Sequence, residues 1–369
     1  MDTTLAVVSI LVGFVALVGG GEFLVRSSEK LAIAAGISPL VTGLTVVAFA
    51  TSAPELAVVV QSAFTGTTDL AIGNAVGSNI FNVLFVLGLS AMVAPLVVTA
   101  RLVRLDVPIM VAATVLLWLL SLDGQLSRLD GLLMVGLLIV YLIWSIRESR
   151  KSNKIEESEI EIPSAEAAQT GLWKQVVVFV VGLALLVVGA HFAVDGSVKI
   201  AQSFGVSELV IGLTVIAIGT SLPEVMTSVI ATLRGQRDIA VGNVIGSNMY
   251  NVLGVLGLGS VIAPSGIGVT YDAIHFDMPV MIAVAAACLP IFYIGHRIAR
   301  WEGGILFAYY IAYTIYLVLH ATGSGFANPL KNSLAFFVLP LTVLTAMIGV
   351  YRHWVGERDA SSPSEPTKT

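Results

Sequence analysis

The chain carries one apolar block twice, and that duplication constrains its fold more than any other feature. Residues 41–57 read VTGLTVVAFATSAPELA, and residues 210–226 read VIGLTVIAIGTSLPEVM. Downstream, IGNAVGSNIFNVLFVLGLS (72–90) returns as VGNVIGSNMYNVLGVLGLG (241–259). Matching residues stand 169 apart, as Glu55 to Glu224 and Asn82 to Asn251 do. The register holds without a gap from Gly13/Gly182 to Pro95/Pro264. Each copy sets a proline, a glutamate, hydroxyls and an asparagine inside apolar sequence. Ionisable groups at membrane depth are costly, so they mark an ion or substrate path by default. Repeated membrane sequence with interrupted helices in matching positions points to a transporter whose site lies where the repeats meet.

The apolar runs are long enough to make membrane spans the first reading. The hydrophobic share is 56%, and the mean hydropathy is +0.92. A helix crosses a bilayer with about 20 apolar residues. Eleven spans are predicted, at roughly 5–30, 39–64, 70–95, 106–121, 130–147, 173–200, 208–233, 239–262, 277–296, 303–321 and 333–352. Helices are the expected spanning form, because barrel strands would show alternating segments of about ten residues. The first span is no cleaved signal: it lacks a basic leader, and Gly13 to Lys30 aligns with the later copy. Cys288 stands alone, so no intramolecular disulfide forms. The net charge of −5 is small and mixed and does not suggest a nucleic-acid partner. No P-loop, dinucleotide fingerprint or nucleophile–base arrangement is present, which argues against an ATP-driven pump and against an enzyme.

One charged linker divides the chain, RESRKSNKIEESEIEIPSAEAAQTG at 147–171. Five spans precede it, an odd number, so the second copy enters the membrane with opposite orientation. The expected fold is an all-α polytopic membrane protein, two inverted five-helix repeats plus one extra C-terminal transmembrane helix. Residues 1–147 form the first repeat, 148–171 a cytoplasmic linker and 172–322 the second, inverted repeat. Residues 333–352 form the extra helix and 353–369 a polar tail. With the N-terminus outside, Arg101, Arg104, the 147–174 cations, Arg234, Arg237, Arg297, Arg300, Arg352 and Arg358 all fall inside. Only Arg128, Lys199 and Lys331 fall outside, as the positive-inside rule requires. The C-terminus is then cytoplasmic.

The repeated motifs carry a specific chemistry. Pro54 and Pro223 lack an N–H and crowd the carbonyls four residues back, so each helix breaks there. The freed carbonyls cannot face lipid and must be satisfied within the protein. Thr51, Ser52 and Glu55, with Thr220, Ser221 and Glu224, form an oxygen-only set. Hard cations such as Ca²⁺ and Na⁺ prefer oxygens, Ca²⁺ taking about 6–8. Neither motif holds Cys or His, which argues against zinc or copper. Gly73/Gly77 and Gly242/Gly246 form GxxxG pairs expected to admit close helix packing. Ser78 and Asn82 share one helix face, as do Ser247 and Asn251. A lone GxxxG or a lone proline would mean only packing or a kink; two unpaired carboxylates at matching depths mean more. Asp106 and Asp277, each two residues before a proline, read as helix starts. Asp69 and Asp238 read as N-caps. Glu22/Arg26 and His191/Asp195 read as i,i+4 pairs, and Gly19–Gly21, Gly182 and Gly189 suit close helix contact.

The motifs GLTVVAFATSAPEL with GNAVGSNIFN, and GLTVIAIGTSLPEV with GNVIGSNMYN, resemble the paired repeats of the sodium/calcium exchanger group within the cation/calcium antiporter superfamily. The resemblance covers roughly residues 5–321 and is to the compact prokaryotic members. It implies exchange of Ca²⁺ for Na⁺ across a prokaryotic plasma (inner) membrane, with lipid as surroundings and no cofactor. It implies that Glu55, Glu224 and the Thr51 and Thr220 carbonyls hold Ca²⁺. Na⁺ would share the glutamates and add Ala48, Ser52, Ser78, Ala217, Ser221 and Ser247. Asn82 matches a family asparagine, whereas Asn251 stands where such exchangers carry Asp. The resemblance also implies that the first and sixth spans slide across the rest. Two other readings remain: proton/Ca²⁺ exchange on the same glutamates and, from another class, a cation channel.

Overall fold

The computed structural model describes residues 3–157 and 171–333, with Val343 and Met347. The predicted eleventh span, the tail and most of the linker lie outside the described residues. Helix α1 (Thr3–Ala35) is followed by a bent pair, α2 (Pro39–Thr51) and α3 (Ala53–Thr65), which turn by 44° at Ser52. Then come α4 (Thr68–Val93), α5 (Leu102–Leu120) and α6 (Arg128–Glu157). The order repeats with α7 (Leu172–Ser203), α8 (208–219), α9 (Leu222–Leu233), α10 (Arg237–Ile262), α11 (Ala273–His296) and α12 (Arg300–Ala321). Among the described residues, eight helices are long and apolar enough to cross a membrane, and α2–α3 makes a ninth crossing. The pair α8–α9 has the form of α2–α3.

The helix breaks fall where the prolines require them. Ser52 leaves helical geometry at φ −79°, ψ 5°, and Ser221 at φ −94°, ψ 8°. Pro54 and Pro223 then sit in the first turns of α3 and α9, where a missing N–H costs nothing. Single π-helical turns also recur in matching places: Gly43–Val47 with Gly212–Ile216, Asn82–Leu87 with Tyr250–Leu256, and Leu102–Asp106 with Ala273–Asp277. Such turns are rare and cluster at functional sites.

Two short antiparallel ribbons join the halves reciprocally. β1 (Leu96–Val97), between α4 and α5, pairs with β4 (Arg297–Ile298), between α11 and α12. β2 (Gln125–Leu126), between α5 and α6, pairs with β3 (Ile267–Gly268), between α10 and α11. Each ribbon therefore matches the third connection of one half with the fourth of the other. Successive connections lie on opposite faces of a membrane, so two halves of opposite orientation would pair in this way.

Burial is greatest along α4 and α10, where 72% and 83% of the apolar stretch is enclosed. It falls to 28% on α1 and 22% on α7, which turn most of their surface outward. These two helices cross through glycine. A Cβ on Gly13 would stand 2.6 Å from the Gly189 carbonyl, and one on Gly20 would stand 2.7 Å from that of Gly182. Gly19 faces open space, and Gly21 meets Ile230.

Several local expectations are corrected. Asp106 and Asp277 do stand where the α-helical part of α5 and α11 begins, at the end of a π-helical turn, but neither side chain makes a capping bond. Both instead reach the last helix of their half. Tyr141 donates to Asp106 at 2.8 Å, with Arg101 beside it at 3.4 Å, and Tyr313 donates to Asp277 at 3.3 Å. A buried carboxylate needs a partner more than a helix end does. Asp69 and Asp238 lie inside the first turns of α4 and α10, with Thr67 and Gln236 at the cap positions. Glu22 does pair with Arg26 at 2.7 Å and is bridged by Arg234 as well. Asp195, however, is taken by Lys199 at 2.8 Å rather than by His191, because an ammonium four residues on is the better partner. The α6 helix continues to Glu157 instead of ending at 147. Its added turns are rich in helix formers, and they are anchored: Ser38 N donates to Ser149 at 2.8 Å, and Arg150 donates to the Ala35 carbonyl at 3.1 Å.

Candidate cation site

The two breaks and the two central helices bring the motif residues together. Glu55 and Glu224 begin α3 and α9, and both are fully buried. Ser78 and Asn82 arrive from α4, Ser247 and Asn251 from α10, all buried. Ser221 Oγ donates to Glu55 Oε1 at 3.0 Å and lies 3.1 Å from Ser78 Oγ. Thr51 Oγ1 lies 3.3 Å from Ser247 Oγ and 3.4 Å from the Ala48 carbonyl.

What remains unpartnered is informative. Glu55 Oε2, both Glu224 oxygens, Ser52 Oγ and both polar atoms of Asn82 and of Asn251 are buried with no hydrogen-bond partner in the protein. Buried carboxylates are ordinarily paired or bound to a metal ion. Here no lysine or arginine reaches them among the described ion pairs. The donor set is two carboxylates, hydroxyls and amides, which suits a hard cation.

The halves differ in how tightly they close around this point. A Cβ on Gly242 or Gly246 would stand 2.7 Å from the Leu40 or Leu44 carbonyl, so α10 and α2 touch through backbone. At the matching Gly73 and Gly77 a Cβ would meet nothing within 4 Å, so that GxxxG does not pack as expected. Ala48 is buried and Ala217 exposed; Thr51 is buried and Thr220 half-buried. On α9 Pro223, Glu224, Val225, Thr227, Ser228, Ile230, Ala231 and Thr232 are buried, against Glu55, Val59, Ser62 and Ala63 on α3. The helices around the site pack through backbone on the α2–α10 side and less closely at the matching glycines between α4 and α8, where Thr220 still donates to Asn74.

Two asparagines that the sequence reading passed over also reach the threonines. Thr51 Oγ1 donates to Asn243 Oδ1 at 3.1 Å, and Thr220 Oγ1 donates to Asn74 Oδ1 at 3.3 Å. Both belong to the repeated Gly-Asn step of α4 and α10, which was the available signal.

Comparisons with known proteins identify the family. The family model described as sodium/calcium exchanger protein matches residues 5–147 and 174–319. The inner membrane protein YrbG of Escherichia coli is 36% identical over 294 residues, covering 77% of this chain and 88% of that protein. The sodium/calcium exchanger MaX1 of Methanosarcina acetivorans is 33% identical over 341 residues, covering 84% of this chain and 97% of that protein. A solved structure of the sodium–calcium exchanger NCX_Mj superposes with a TM-score of 0.72 at 31% identity, covering 84% of this chain and 98% of that one. The α2–α3 and α8–α9 breaks, meeting at two buried glutamates within a helical membrane fold, thus belong to a chain that is a member of the sodium/calcium exchanger family of cation/calcium antiporters.

Proposed function

We propose that the chain is a secondary antiporter that moves Ca²⁺ against Na⁺ by alternating access. One observation carries this reading: the buried, unpartnered oxygens of Glu55 and Glu224, flanked by the unpartnered amides of Asn82 and Asn251. A dehydrated divalent ion needs such charge and such oxygens. Glu55, Glu224 and the Thr51 and Thr220 carbonyls hold Ca²⁺ in this reading. Ala48, Ser52, Ser78, Ala217, Ser221 and Ser247 complete the Na⁺ positions. The halves 1–147 and 172–322 act as inverted repeats, which the reciprocal ribbons support. The α1–α7 pair, held together by its glycines and facing outward, is the piece that slides. Charge placement sets the N-terminus outside and the 148–171 linker in the cytoplasm of a prokaryotic inner membrane. The more loosely packed α4–α8 side is then the outer one.

Asn251 favours a second reading, in which protons replace Na⁺ on the same glutamates, because the site has one anion fewer than the family pattern implies. Uptake of ⁴⁵Ca²⁺ into proteoliposomes under an imposed Na⁺ gradient, or an imposed pH gradient, separates the two. Flux driven by Na⁺ supports exchange against Na⁺. Flux driven only by pH selects the proton reading.

A further inference from the structure

Asn243 connects three elements at the closely packed side of the site. It lies one helical turn before Ser247 on α10 and is fully buried. Its Oδ1 accepts from Thr51 Oγ1 at 3.1 Å, and its Nδ2 donates to Ser228 Oγ at 3.0 Å. Ser228 Oγ lies in turn 3.5 Å from the Ala240 carbonyl. One amide thus spans the end of α2 and the second turns of α10 and α9, with both polar atoms satisfied. Thr51 is the last residue before the break at Ser52, so its peptide has no following helical turn to hold it in line. The hydrogen bond to Asn243 supplies a fixed point from outside the helix.

The other half repeats only part of this. Asn74 Oδ1 accepts from Thr220 Oγ1 at 3.3 Å, but its Nδ2 is buried without a partner. Val59 stands where Ser228 stands in the second half. The brace is complete at one threonine and half-built at the other.

We propose that Asn243 is a positioning residue for the cation site, acting through Thr51 and braced by Ser228, and that Asn74 does the same for Thr220 without a brace. The assignment rests on the cation-site reading above. It implies that the orientation of the Thr51 peptide, and so the fit of the ion, depends on a bond made only while α2, α9 and α10 are closed together. An amide that merely filled space would affect folding and leave the half-saturating ion concentration alone.

Exchange of ⁴⁵Ca²⁺ for unlabelled Ca²⁺ across proteoliposomes tests this without any coupling ion. Asn243→Leu is expected to raise half-saturating Ca²⁺ about tenfold, the effect of one buried hydrogen bond, with the maximal rate held within about twofold. Ser228→Ala and Asn74→Leu are each expected to raise it about threefold, since one bond or an unbraced bond is lost. Thr51→Val should match Asn243→Leu, and the double variant should be no worse than either, because both remove the same interaction. Effects that multiply in the double variant overturn the proposal, as does an unchanged half-saturation in Asn243→Leu. If Asn243→Leu does not fold, the cycle of Ser228→Ala with Thr51→Val decides by the same criterion. Glu224→Gln serves as the control. If it still exchanges ⁴⁵Ca²⁺ normally, the cation site itself is misplaced and the assignment falls with it. If it is silent while the cycle multiplies, only the asparagine assignment falls.

Discussion

If the proposed site holds, the ion balance turns on Asn251. With Asn82 and Asn251 neutral, the site holds two carboxylates, which one Ca²⁺ or two Na⁺ neutralise. A further Na⁺ would place excess positive charge in a poorly solvating interior. Exchange is therefore expected at about two Na⁺ per Ca²⁺, or with protons taking part, and insensitive to a valinomycin-set potential, since each net charge moved couples by about 2.3 kcal/mol per 100 mV. Strong voltage dependence in the unaltered protein would refute the charge count, and Asn251→Asp is expected to introduce it. Glu55→Gln and Glu224→Gln should each cut Ca²⁺ exchange by about a hundredfold or more, the scale of removing one buried charge. Asp69→Asn and Asp238→Asn, outside the site in the first turns of α4 and α10, should exchange normally. At this scale the sequence is legible wherever both copies agree, because two matching carboxylates single themselves out. It is silent on the Asn243–Ser228 bond. Ser228 corresponds to Val59 in the other copy, so comparing the copies passes over it.

Among the elements, the prolines announced both breaks, but nothing in the sequence announced that one GxxxG packs while its twin does not. That difference separates stability from turnover. Gly246→Ala would drive a Cβ to 2.7 Å from the Leu44 carbonyl and the Ala48 Cβ. Overpacking of this kind costs about 1–3 kcal/mol, so a clear drop in thermal midpoint is expected. Gly77→Ala meets nothing within 4 Å, so the midpoint should hold or rise. Yet if α4 and α8 close as α10 and α2 do, the added methyl obstructs that closure, and ⁴⁵Ca²⁺ flux should slow. Normal flux in Gly77→Ala would show that the α4–α8 side never closes to the same depth. The partners of Asp106 and Asp277 are illegible for a related reason. A helix-start pattern is local, whereas Tyr141 and Tyr313 lie 35 and 36 residues further on.

For the whole molecule, charge placement and span count give an orientation that can be checked directly. In a Cys288→Ala background, Ser158→Cys and Ser362→Cys should resist an impermeant thiol reagent in intact cells. Labelling of Ser158→Cys from outside would overturn it. The helical membrane architecture was legible from hydropathy and duplication alone. The ribbons were not, since two-residue strands carry no readable period. They nevertheless have a consequence for how the polypeptide can be divided. Because β1 pairs with β4 and β2 with β3, each half is stitched to the other on both faces, independently of the 148–171 tether. A chain severed within 158–170 and produced as two co-expressed fragments is therefore expected to reassemble and recover Ca²⁺ exchange. Fragments that co-purify only when covalently joined would show that the tether, and not the stitching, makes one protein of two.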